Sequence, residues 1–122
     1  MASESDVTVI RTAVELLEPG EEALVVNDSH LSRPKPNDTV VVGAWRIGTR
    51  ADKVDWVIVY HPNKSTGVVS LWRGKLVERF EAPDGKKRLR LRLTGRLPEG
   101  HTDQGFFAFV GGPGNRGVRY VP

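Results

Sequence analysis

The run Arg88-Leu89-Arg90-Leu91-Arg92-Leu93 alternates a cation with an apolar residue at a period of two. Successive side chains of an extended strand point to opposite faces, so the leucines enter a core and the arginines share one outer face. Lys86 falls on the arginine face by the same parity. Alternate residues of a strand stand roughly 7 Å apart, a spacing suited to the phosphates of a nucleic acid. The same pattern also serves as a solvated face that blunts edge-to-edge pairing. Arg116 and Arg119 place further positive charge beside Gly111-Gly112-Pro113-Gly114-Asn115. That glycine-rich stretch reads as a β-turn, because no Gly-Lys-[Ser/Thr] follows it and a strand comes next.

Aromatic residues are the second candidate group. Trp45, Trp56, Tyr60, Trp72, Phe106, Phe107, Phe109 and Tyr120 all fall in or beside predicted strands. Along Asp55–His61, parity places Trp56, Ile58 and Tyr60 on one face and Val57, Val59 and His61 on the other. Apolar residues on both faces mark a central strand. Most of these rings are core material, and one or two could line a pocket in which an unpaired base stacks.

His30, His61 and His101 lie in turns or at a strand end, without the spacing of a metal site. His61 closes the aromatic-rich strand and is counted among the pocket candidates. No cysteine is present, which removes disulfides, thiolate nucleophiles and cysteine-based zinc sites. No Gly-x-Ser-x-Gly elbow occurs, and carboxylates are sparse after Asp55. No catalytic residue, cofactor or metal is expected, and the reading leans away from an enzyme.

Charge is distributed unevenly. Residues 1–38 carry three basic and eight acidic side chains, net −5, while residues 39–122 carry fifteen basic and seven acidic, net +8. Such a split points to an anionic partner for one face, or to an acidic segment that covers a basic one. No apolar run reaches the roughly 20 residues of a membrane span. The polar, acidic start lacks the form of a signal peptide, so a cytoplasmic location is expected.

The elements that must position these residues are mainly strands. A length of 122 residues suits one domain. It divides into an acidic N-terminal segment, 1–22, and a β-barrel over 23–122. Val7, Ile10, Ala13, Val14 and Leu17 recur at helical spacing from Ser5 to Leu17, where Pro19-Gly20 stops the pattern. Strands are expected over 23–27, 39–47, 55–61, 67–73, 76–80, 86–93, 106–110 and 118–121, with Asp84-Gly85 as a hairpin turn. The fold class is mainly β, of the α+β kind: a small open barrel of six or seven strands with one N-terminal helix.

Three segments carry a family resemblance: Asn37-Asp38-Thr39-Val40-Val41-Val42, Asp55-Trp56-Val57-Ile58-Val59-Tyr60 and Gly67-Val68-Val69-Ser70-Leu71. Their layout over about residues 37–110 resembles PUA-like domains, the group that includes EVE and ASCH domains. The resemblance implies an open β-barrel that binds RNA, or DNA with a modified base, through a basic surface and an aromatic pocket. Trp56 with Tyr60, or Trp45 with Trp72, would then form the pocket.

The leading functional expectation is a non-enzymatic nucleic-acid-binding domain, with RNA or DNA as partner and no membrane. Arg88, Arg90 and Arg92 would contact phosphates, helped by Lys86, Arg116 and Arg119. Two other readings stay open. One is an assembly module, such as a small phage or bacterial structural subunit, that self-associates through its charge asymmetry. The other is a small toxin-type ribonuclease built on His61 or His101.

Overall fold

Ala23-Leu24-Val25-Val26 and Trp56-Val57-Ile58-Val59-Tyr60 are apolar at both parities, a pattern that persists only where both faces of a strand are covered. The computed structural model describes residues 9–28, 35, 37–43, 49–63, 65–95, 98–112 and 118–122. In it these two runs lie side by side near the middle of a seven-stranded sheet. The strands are β1 (Ala23–Asn27), β2 (Thr39–Val42), β3 (Trp56–Pro62), β4 (Val69–Glu81), β5 (Lys87–Leu93), β6 (Gly100–Thr102) and β7 (Val118–Val121). Their order is β2-β5-β4-β3-β1-β7, and β6 pairs with the first residues of β4. β1 and β3 run parallel, and the other pairs are antiparallel. Over the described residues the fold is mainly β with one short α-helix, and the sheet is not closed into a barrel.

The two faces of the sheet build separate cores. On one face Leu24, Val57, Val59, Trp72, Leu89, Leu91 and Leu93 pack together with Val42 and Val118 of the two end strands. Both ends contribute to one cluster because the sheet curls. The hollow is filled by a 3₁₀ turn, Thr49–Lys53, whose Ala51 is fully buried. On the other face Val25, Ile58, Tyr60 and Leu71 pack against Ile10, Ala13, Phe109 and Val110. That second cover reaches β1, β3 and the start of β4, and the residues that β5, β2 and the second half of β4 turn to this side belong to neither core.

Several expected elements differ. Phe106–Val110 is an α-helix, α1, not a closing strand. Gly111 at φ 89° ends it, with Gly112 N–H donating to the Phe107 carbonyl at 2.8 Å, a glycine-terminated helix end. Helical spacing sends Phe106 and Phe109 together onto Tyr60 and leaves Phe107 54% exposed. The expected N-terminal helix is, over its described residues, a single 3₁₀ turn at Ala13–Leu16. Val9 instead bridges His101 and the Ile10 N–H donates to the His101 carbonyl, as suits β-branched residues. The Glu15 carboxylate accepts from the backbone of Arg11 and Thr12, which fixes the start of the turn.

The expected strands over 67–73 and 76–80 are one strand, β4, of 13 residues. β6 was not anticipated, since Gly100-His101-Thr102 has no strand pattern of its own and is held by pairing with Leu71, Ser70 and Val69. The hairpin at Asp84-Gly85 is as expected. Gly85 adopts φ 81°, and the Asp84 carboxylate accepts from the Lys86 N–H at 3.0 Å.

Candidate nucleic-acid interface

Leu89, Leu91 and Leu93 are fully buried, and Arg88, Arg90 and Arg92 stand on the opposite side of β5. Directly opposed residues of neighbouring strands share a face, so the register assembles the surface row by row. Thr39, Arg92 and Lys75 form one row, and Val41, Arg90 and Glu78 the next. Arg88 lies opposite Phe80 in a third.

A β-bulge decides this composition. The β4–β5 register shifts between Leu76 and Glu78, leaving Val77 as the extra residue. One inserted residue moves everything after it to the other face. Without it Glu78 and Phe80 would point into the hollow with Leu76. With it they stand among the arginines, and Arg79 turns inward to Asp52. Parity counted along the sequence misses this, because nothing in Leu76-Val77-Glu78 signals a bulge.

The arginines differ in their partners. Arg88 Nη2 donates to Asp84 Oδ2 at 2.8 Å, and Arg90 pairs with Glu78. The guanidinium of Arg90 also lies 4.8 Å from the centroid of the Phe80 ring. Arg92 is exposed, and no ion pair holds it among the described residues. Its cross-strand neighbour Lys75 leans away, with Nζ 2.9 Å from the Asp55 carbonyl and 3.9 Å from the Trp56 ring. Lys86 lies in the hairpin turn, exposed, and not within β5. The Lys86 backbone N–H is the main cause holding the Asp84 carboxyl below its usual range, with Arg88 adding to it.

The aromatic candidates are not gathered in one place. Tyr60 is 5% exposed, donates its hydroxyl to the Gln104 carbonyl at 2.7 Å and packs on Phe106 and Phe109. Burial raises its phenol above the usual range. Trp72 is 6% exposed in the core of the opposite face, stacked on His61 at 4.8 Å. His61 Nδ1 lies 2.8 Å from the Asp28 carbonyl, the geometry of a protonated Nδ1 donating. Trp56 is half-buried, gives its indole N–H to Glu21 Oε2 at 3.1 Å, and lies under Arg73 as well as Lys75. Trp45 and Arg116 lie outside the described residues. Arg119 sits on β7 opposite Val25, three strands from β4.

The junction between the covered and the bare halves is itself charged. Arg73 donates to the Leu16 carbonyl at 2.7 Å and stands 4.0 Å from Glu99. Burial lifts the Glu99 carboxyl above its usual range, with Arg73 opposing. Across the sheet, His61, Ser70 and His101 occupy one row of β3, β4 and β6. This row shares the face of Trp72, the reverse of the face that carries Arg88, Arg90 and Arg92. The two imidazoles thus lie on one side of the sheet and the guanidinium row on the other. The described residues contain no group of three or more His, Cys, Asp or Glu placed to hold a metal ion. No protein-family model, curated protein or solved structure matches this chain.

Proposed function

We propose that this protein binds nucleic acid, without catalysis, through the outer face of β5 and its neighbours. The observation that carries the reading is the arginine row itself. Arg88, Arg90 and Arg92 project from a strand whose alternate leucines are fully buried, so the cations stand on a rigid support. Such a row contacts phosphates without reading sequence. The aromatic pocket, Trp56 with Tyr60 or Trp45 with Trp72, is no part of this proposal, since Tyr60 and Trp72 are buried and Trp56 is engaged by Glu21, Arg73 and Lys75.

The test is fluorescence anisotropy of a labelled oligonucleotide over a range of salt. Affinity should fall steeply with salt, because each neutralised phosphate contributes about 0.7–0.9 to the slope of log K against log salt. The triple variant R88S/R90S/R92S should lose about 2–3 from that slope and keep its circular dichroism spectrum. Unaltered binding by the folded triple variant would remove this surface from consideration.

A further inference from the structure

Phe80 is the unexplained side chain on this face. It adds nothing to either hydrophobic core, and the bulge at Val77 is what turns it outward among the cations. Its ring lies opposite Arg88 and beside the guanidinium of Arg90. On the other flank of β5, Val41 is 42% exposed opposite Arg90, with Thr39 opposite Arg92. The surface is thus a row of three guanidinium groups with Phe80, Glu78 and Lys75 on one side and the uncharged Thr39 and Val41 on the other.

Resting on the nucleic-acid reading above, we propose that the ligand is an extended single strand, with its phosphates along β5 and an unpaired base stacked on Phe80. The row, at roughly 7 Å intervals along one strand, can be followed by the phosphates of an extended chain, and the ring is what separates this ligand from a duplex. A partly exposed ring among the cations has a use where a base offers its face, and in a duplex those faces are already stacked. Arg90, held by Glu78 and lying against the ring, makes the platform a composite of cation and aromatic surface. RNA and DNA share this chemistry, since the 2′-hydroxyl is not needed for stacking or for phosphate contact.

The experiment compares three labelled probes of equal length at one salt concentration: oligo-uridine, oligo-thymidine and a mixed-sequence DNA duplex. Both single strands should bind at least about tenfold more tightly than the duplex. Their ratio shows whether RNA or DNA is preferred. Phe80→Leu should weaken single-strand binding by about 5- to 100-fold, the loss of one stacked base. It should leave duplex binding unchanged. Phe80→Tyr keeps a ring and should bind like the parent, which separates lost stacking from a disturbed fold. Equal or tighter binding of the duplex, or a folded Phe80→Leu variant with parental affinity, overturns the single-strand proposal while leaving nucleic-acid binding intact. Absence of binding to every probe overturns both.

Discussion

Arg79 holds Asp52 through two hydrogen bonds, Nε to Oδ1 at 3.3 Å and Nη2 to Oδ2 at 3.0 Å. The pair ties the far end of β4 to the 3₁₀ turn that fills the hollow of the sheet. Beside it Arg50 of the same turn lies 4.2 Å from the Tyr120 ring of β7. One turn therefore links both halves of a sheet that does not close.

Acid should loosen this protein. The hydrogen bond from Arg79 is the main cause lowering the Asp52 carboxyl, and backbone hydrogen bonds are the main causes lowering Glu15, Glu21 and Asp84. As pH falls out of the ordinary carboxylate range, the unfolded chain takes up protons first. The stability that these groups contribute at neutral pH is lost as pH descends through their lowered folded values. Glu99 runs the other way, because burial raises its carboxyl and protonation relieves a cost. Urea unfolding at about pH 7 and about pH 3 should show a net loss at the lower pH. Asp52→Asn should begin less stable and lose less on acidification.

Glu78 and Asp84 pair with Arg90 and Arg88, and under the proposed function they would compete with the nucleic acid for them. Glu78→Gln and Asp84→Asn should each raise affinity for an oligonucleotide by about 2- to 5-fold, the scale of one exposed ion pair. Arg92→Ser should cost more affinity than either Arg88→Ser or Arg90→Ser, because no described carboxylate competes for Arg92. A titration at constant salt ranks the variants.

The helix α1 makes a prediction that an edge strand would not. Phe109 is fully buried and Phe107 is 54% exposed. Phe109→Ala should destabilise the protein by about 3–5 kcal/mol, and Phe107→Ala by no more than about 0.5 kcal/mol. Denaturant unfolding of the two variants reads the difference directly.

Gly74 is the residue of β4 that pairs with both β3 and β5, at Val57 on one side and Leu93 on the other. A methyl group there would stand 3.0 Å from the Arg92 carbonyl oxygen and 3.2 Å from Leu93 Cδ2. Neither the strand backbone nor a buried leucine gives way cheaply. Gly74→Ala should cost about 1–3 kcal/mol, a loss that the improved strand propensity of alanine does not offset. Thermal unfolding of the purified variant checks it.

Period-two alternation made β5 legible, and short apolar runs bounded by turn residues did the same for β1 and β3. The leucine and arginine faces of β5 followed from the residues alone. What the sequence concealed was decided by tertiary partners. Phe106-Phe107-Ala108-Phe109-Val110 suits a strand by composition, yet Tyr60 and the two following glycines select the helix. Gly100-His101-Thr102 becomes a strand because β4 offers an edge. The contribution of Phe80 depended on one inserted residue that no local pattern announces.

The parallel pairing of β1 with β3 has a consequence for the order of assembly. β3, β4 and β5 follow one another through short connections and can pair as soon as each is made. β1 joins β3 across more than 30 intervening positions and meets its other neighbour, β7, near the last residue of the sequence. Loop closure of that span comes before any reward from the contacts it permits. Amide exchange during refolding should therefore protect the β3–β4–β5 meander first and β1 last. Leu24 and Val26 would wait, apolar and unpaired, until the end of the sheet arrives to cover them.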